Sequence, residues 1–161
     1  MSTTLSLTYV STINVVETLG DTDLATTDKT ITHSGRSSQG TFAAGTTPTI
    51  SKRAGFSQAG SGTIDLRALV GTNAGAIDGN GLKVQFMKVQ NPVTNANVIT
   101  IAMGGSNGYD GFGASFSLTL SPGAEVLIKN YSGGSAIGAS NKTLDVTATG
   151  VQPLLGEIVM G

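Results

Sequence analysis

An all-β fold, an antiparallel sandwich with little or no helix, jelly-roll-like or with immunoglobulin-like strand order, follows from three features of this 161-residue chain. Apolar residues alternate with polar ones in short runs. Turn-forming clusters of Gly, Pro, Asn, Asp and Ser separate those runs at short intervals. Helix-forming stretches with apolar residues three and four apart are missing.

The elements follow in order. Leu5, Leu7 and Tyr9 alternate with Ser6 and Thr8, the pattern of a half-buried strand. Residues 21–48 are the poorest in apolar side chains and are expected to form a long loop or an arm that orders on a neighbour. Thr63 to Val70, with Ile64, Leu66, Leu69 and Val70, reads either as a short helix or as a strand ending in a turn. Leu82, Val84 and Phe86 alternate with Lys83 and Gln85. The apolar set then moves to Met87 and Val89, which predicts a bulge or a strand changing sheets. Val98 to Met103 is apolar enough to be buried on both faces. Phe116, Leu118 and Leu120 alternate again, and Ser121-Pro122-Gly123 predicts a hairpin leading to Val126 and Ile128. Leu144, Val146 and Ala148 supply a further strand.

Length and the lack of any second boundary or repeat predict one domain over 1–161. A chain of this size buries roughly 70% of its unfolded surface, so a core can hold it without disulfides, and it has no Cys. That excludes thiolate metal sites and Cys nucleophiles. Charged residues make up 12% of the chain, about half the usual share. Nine Lys and Arg balance ten Asp and Glu, leaving no basic footprint for nucleic acid or for an anionic membrane. No window reads as a secretory signal or a transmembrane helix.

Catalytic chemistry finds little support. His33 is the single histidine and stands in Thr-His-Ser-Gly without a nucleophile elbow, so it reads as a turn residue rather than a triad base. Glu17, Glu125, Glu157, Asp65, Asp110 and Asp145 have the chemistry of glycosidase carboxylates, yet no local pattern selects a pair. Asp21-Thr22-Asp23 and Asp78-Gly79-Asn80-Gly81 resemble fragments of calcium loops without completing one, and the second is explained as an Asx turn. Asn130-Tyr131-Ser132 and Asn141-Lys142-Thr143 match the glycosylation pattern by chance in a chain rich in Ser and Thr. No catalytic residue, metal site or cofactor is expected. The positive signal is a nearly uncharged β surface of Thr, Ser, Asn and Gln, suited to packing on other protein surfaces.

A set of segments carries a resemblance. Gly62-Thr63-Ile64-Asp65-Leu66-Arg67-Ala68-Leu69 is followed by Asp78-Gly79-Asn80-Gly81-Leu82-Lys83-Val84-Gln85, then Asn91-Pro92 and Asn95-Ala96-Asn97-Val98-Ile99-Thr100-Ile101. Gly108-Tyr109-Asp110-Gly111-Phe112-Gly113, Leu120-Ser121-Pro122-Gly123 and Gly156-Glu157-Ile158-Val159-Met160-Gly161 come next, with Thr46 to Lys52 upstream in the same style. In this order they resemble small β-sandwich structural proteins of tailed-bacteriophage virions. The resemblance implies a head decoration or cement protein, made in the host cytoplasm and bound to the capsid surface. Its implied partners are the major capsid protein and copies of itself, as a homotrimer. It implies no catalytic residue.

Under that reading Leu66, Leu69 and Val70, beside Asp65 and Arg67, are candidates for the oligomer or capsid interface, with ordinary core packing as the competing role. A different class of function, a receptor- or glycan-binding module of a tail fibre, spike or baseplate, would use the loop from Gly104 to Gly113. Tyr109 and Phe112 would then make the contact, unless they pack beneath the loop.

Overall fold

The computed structural model describes residues 6–11, 14–19, 29–34, 38–43, 50–71, 74–130 and 134–161; before residue 44 side chains are described only at Leu7, Thr8 and Val10. All regular structure among the described residues is strand. The first four strands are β1 (Ser6–Ser11), β2 (Asn14–Leu19), β3 (Lys29–Ser34) and β4 (Ser38–Ala43). β1 pairs antiparallel with β4 and β2 with β3. The register sets Ser11 opposite Ser38 in the first pair and Asn14 opposite Ser34 in the second, and each pair is a two-stranded ribbon of its own. β3 and β4 lie within 21–48, the stretch expected to form a long loop or an arm. Thr, Ile and Phe favour extended backbone even where few apolar side chains are present. Residues 21–28, 35–37 and 44–48 lie outside the described residues.

The remaining strands are β5 (Lys52–Ala59), β6 (Gly62–Asp65), β7 (Leu69–Val70), β8 (Ala76–Ile77), β9 (Val84–Gln90), β10 (Ile99–Met103), β11 (Ser117–Leu120), β12 (Glu125–Lys129), β13 (Thr143–Ala148) and β14 (Pro153–Met160). Two four-stranded antiparallel sheets dominate, ordered β11-β10-β13-β6 and β12-β9-β14-β5. This is the wrapping order of a jelly roll, in which β5–β14, β6–β13, β9–β12 and β10–β11 are the paired strands of a ribbon folded over itself. Thr63 to Val70 is not helical: β6 ends at Asp65 and a turn leads into the short β7–β8 hairpin.

The inner faces meet in one core. Val84, Met87 and Val89 of β9 and Leu154, Ile158 and Met160 of β14 lie in the same cluster as Ile99, Ile101, Leu144 and Val146 of the other sheet. Each fully buried aliphatic side chain of this kind contributes about 1.5–3 kcal/mol. Phe86 leaves this face. Val159 pairs with Phe86 but Met160 with Val84, so Gln85 is the extra residue of a bulge. The bulge reverses the alternation: Val84 points inward, while Phe86 joins Ile50 and Val159 on the outer face, where Leu7 of β1 packs on them. The strand stays in its sheet.

Two further expectations are corrected. Ser121-Pro122-Gly123 does reverse the chain, with Gly123 at φ +82° and the Ala124 amide donating to the Ser121 carbonyl at 2.9 Å. Its flanking strands do not pair, however: β11 joins β10 and β12 joins β9, so the turn is an arch between sheets. Tight turn chemistry fixes the reversal, whereas burial of Leu120 and Val126 in the shared core decides that the strands face rather than pair. Val98 to Met103 is covered on one face only. Ile99 and Ile101 are buried, Thr100, Ala102 and Met103 are partly exposed, and Val98 lies open.

Candidate functional site

Four connections crowd one end of the sandwich, and each crosses from one sheet to the other: residues 60–61, 91–98, 121–124 and 149–152. None of these residues is charged. The charged residues of the loops collect at the opposite end, which carries Asp65, Arg67, Asp78, Lys83, Asp110 and Lys142.

The uncharged end is held by amide side chains. Asn91 is fully buried. Its Nδ2 donates to the Leu120 carbonyl at 2.9 Å and to the Asn97 carbonyl at 3.1 Å. Its backbone amide donates to Ala124 and its carbonyl accepts from Gly123, at 2.9 and 2.8 Å. Asn95 donates through Nδ2 to Asn91 Oδ1 at 2.6 Å and to the Pro153 carbonyl at 2.9 Å. Gln152 Oε1 accepts from the Ala96 and Asn97 amides at 2.6 and 2.8 Å. Loops that leave a sheet lose their ladder partners, and buried backbone groups must find others. These amides supply them, and every buried side-chain polar atom among the described residues has a partner.

On this braced frame stand three exposed valines: Val93 at 79%, Val98 at 52% and Val151 at 87% relative exposure. Single exposed apolar residues are ordinary, but three at one rigid, uncharged end form a surface suited to protein contact. Such a surface is pre-organised, so a partner spends little ordering it.

The second surface is the outer face of the β12-β9-β14-β5 sheet. Leu7 covers Phe86 and Val159 there, and a cleft of about 310 Å³ remains, bordered also by Val10 and Leu127. Lys88 pairs with Glu125 at 2.9 Å across it, and Arg53 with Glu157.

The residues singled out from sequence fall elsewhere. Leu66 and Leu69 are buried in the core, leaving Val70 as the exposed member of the three. Leu66 has no surface to give an interface, and its backbone ties the Lys142 carbonyl to the Gly79 amide. Tyr109 is fully buried: its hydroxyl accepts from the Val84 amide at 3.0 Å, and its ring meets Phe112 edge-on at 5.5 Å. Phe112 in turn packs on Phe116 at 5.0 Å. Tyr109 is thus placed under the loop, whereas Phe112 packs against the core and stays partly exposed. Burial pushes the Tyr109 hydroxyl above 10; the Val84 hydrogen bond opposes that rise and neighbouring Asp110 adds to it.

At the charged end Lys142 Nζ meets Asp65 Oδ2 at 2.6 Å, and the Arg67 amide donates to Asp65 Oδ1 at 2.8 Å. Partial burial raises the Asp65 carboxyl, but hydrogen bonds from Lys142 and Arg67, with their charges, hold it below 3.8 on balance. Asp78 is lowered by the Asn80 amide first and by Arg67 second, in an Asx turn with Arg67 Nε at 3.2 Å. Asp145 accepts from Thr63 and from the Gly105 amide. Among the described residues no three His, Asp or Glu gather as a metal site. Asn130 and Asn141 spend their amides on Gly111 and Ala136 carbonyls. The His33 side chain and Asp21-Thr22-Asp23 lie outside the described residues.

Comparison with known protein families, curated proteins and solved structures finds no match. The architecture and the two surfaces therefore carry the functional argument. The sequence did contain one signal for the braced end, the run Asn91-Pro92 to Asn97 with three Asn and no charge, but nothing local marked Asn91 as buried or linked Gln152 to it.

Proposed function

We propose that this chain is a non-enzymatic structural protein of a tailed-phage virion, a capsid decoration protein that binds the outer capsid lattice as a homotrimer and stabilises the head. The observation that carries the reading is the two ribbons, β1 with β4 and β2 with β3. Among the described residues their strands pair with each other and with no strand of the sandwich. A two-stranded ribbon is marginal in water and gains stability by lying on another surface. A compact sandwich with such ribbons and low charge suits a protein that links neighbours, each contact weak and the set strong through avidity. The resemblance in sequence points the same way and supplies the capsid as the partner. Links of this kind would resist internal pressure by bridging the weakest lattice contacts.

The test is co-sedimentation of the full chain with undecorated capsids of its own phage. Saturable binding at one oligomer per lattice axis is expected. Binding to host cells and not to capsids would overturn the reading and move the protein to the tail.

A further inference from the structure

We infer that the open edge of β12 pairs antiparallel with β12 of a second copy of this chain, across a two-fold axis at Leu127. The strand reads Glu125-Val126-Leu127-Ile128-Lys129. β9 pairs with it on one side, and among the described residues no strand pairs with it on the other. The Asn91 amide donates to the Ala124 carbonyl and the Asn130 amide to the Gln85 carbonyl, so the even-numbered residues of β12 turn their backbone groups to β9. Alternation turns those of Glu125, Leu127 and Lys129 to the open side, where an edge is a template for another strand. Leu127 stands at the centre of that edge and is 43% exposed, a large aliphatic side chain that the chain's own fold leaves uncovered. Leu7, Thr8 and Val10 border Glu125 and Leu127 from the outer face of the sheet, but β1 pairs with β4 and does not take the edge.

What fits this edge is the same edge turned around. With Leu127 opposite the second copy's Leu127, Glu125 faces Lys129 at both ends and Val126 faces Ile128 on the inner side. Opposite charges and apolar pairs directly across a sheet are favourable, whereas like charges there are not. A parallel arrangement would set Glu125 against Glu125, and a shift of two residues would lose both charge pairs. Glu125 already holds Lys88 at 2.9 Å, and its carboxylate has acceptor capacity for a second cation. The other edges lack this match. β6 and β11 span four residues each and carry no pair of opposite charges. β5 has Lys52 and Arg53 at one end with no acidic residue at the other, and β7 lies beside it across a groove bordered by Phe56, Leu69 and Val70. The β12 contact is isologous, so it joins copies two at a time and does not rest on the virion reading. Within a homotrimer of the kind proposed above it would link one trimer to the next, a small contact strengthened by avidity.

Disulfide mapping on the full chain tests the register. The chain has no cysteine, so each variant carries a single thiol. Residues at a hydrogen-bonded pair have Cα atoms about 5.5 Å apart, within disulfide reach. Under mild oxidation Leu127→Cys is therefore expected to form a linked dimer several-fold faster than Val70→Cys, an exposed control beside the opposite edge strand. Glu125→Cys mixed with Lys129→Cys is expected to give the mixed dimer, with several-fold less product from either alone. Leu127→Lys sets like charges across the axis and is expected to abolish this pairing in sedimentation velocity, with circular dichroism unchanged. Glu125→Lys is expected to weaken it several-fold, and Glu125→Lys combined with Lys129→Glu to restore it. Cross-linking of Leu127→Cys no faster than the control, or as much product from Glu125→Cys alone as from the mixture, overturns the inference. Association between edges that survives Leu127→Lys unchanged overturns it too. Capsid binding by Leu127→Cys chains that never cross-link would leave the virion reading standing and remove this one; cross-linking without capsid binding would do the reverse.

Discussion

Asn95 donates through one amide nitrogen both to Asn91 Oδ1, at 2.6 Å, and to the Pro153 carbonyl, at 2.9 Å, and so joins the loop after β9 to the start of β14. Asn91 passes the connection on to Leu120 and Asn97. Three of the four cross-sheet connections are thereby held by two buried side chains.

Removing Asn91 should be costly. Asn91→Ala takes the side-chain donor from the buried Leu120 carbonyl and leaves the Asn95 amide with the Pro153 carbonyl alone, which predicts a loss of about 1–3 kcal/mol. Urea unfolding checks it. A loss of only a few tenths would show that water replaces the side chain.

Leu66 belongs to the core, not to an interface. Leu66→Ala should destabilise each protomer by about 2–5 kcal/mol and leave the oligomeric state of the folded protein unchanged. Denaturation read with sedimentation separates the two effects. For the same reason Leu69→Asp should abolish folding, whereas Val70→Asp should be nearly silent in stability.

Acid should weaken the charged end. The folded Asp65 and Asp78 carboxyls sit below their ordinary 3.8, so their contribution is fully present above that value and is lost as pH falls through it toward the folded values. Asp65→Asn should flatten the fall in stability below pH 3.8 and lower stability at neutral pH. Unfolding midpoints across the acid range test both parts.

Tyr109→Phe isolates one hydrogen bond. The Val84 amide loses its acceptor in the core, which should cost about 1–3 kcal/mol. In the unmodified chain the Tyr109 phenol should titrate above 10 by ultraviolet absorbance.

Gly156 stands opposite Phe56, whose ring covers the place a Cβ would occupy. Gly156→Val should force the ring out of the core edge and destabilise the chain by about 1–3 kcal/mol, measured by thermal unfolding.

By itself the sequence determined the all-β class and most strands, because alternation at Leu82–Val84, Leu118–Leu120 and Leu144–Val146 is a local property of a pleated backbone with one buried face. It also determined the reversal at Pro122-Gly123, since φ preferences are local. Only the tertiary structure decided that this reversal joins two sheets, that Phe86 turns outward at a bulge, and that Leu66 and Tyr109 serve the core. Each of those outcomes depends on which distant strand supplies the other wall: β14 for Phe86, β9 for Tyr109, the loop at Lys142 for Leu66. The uncharged end was invisible for the same reason. Its residues come from four separate stretches, and the jelly-roll wrapping that gathers them is set by burial summed over both sheets, a quantity no single segment carries.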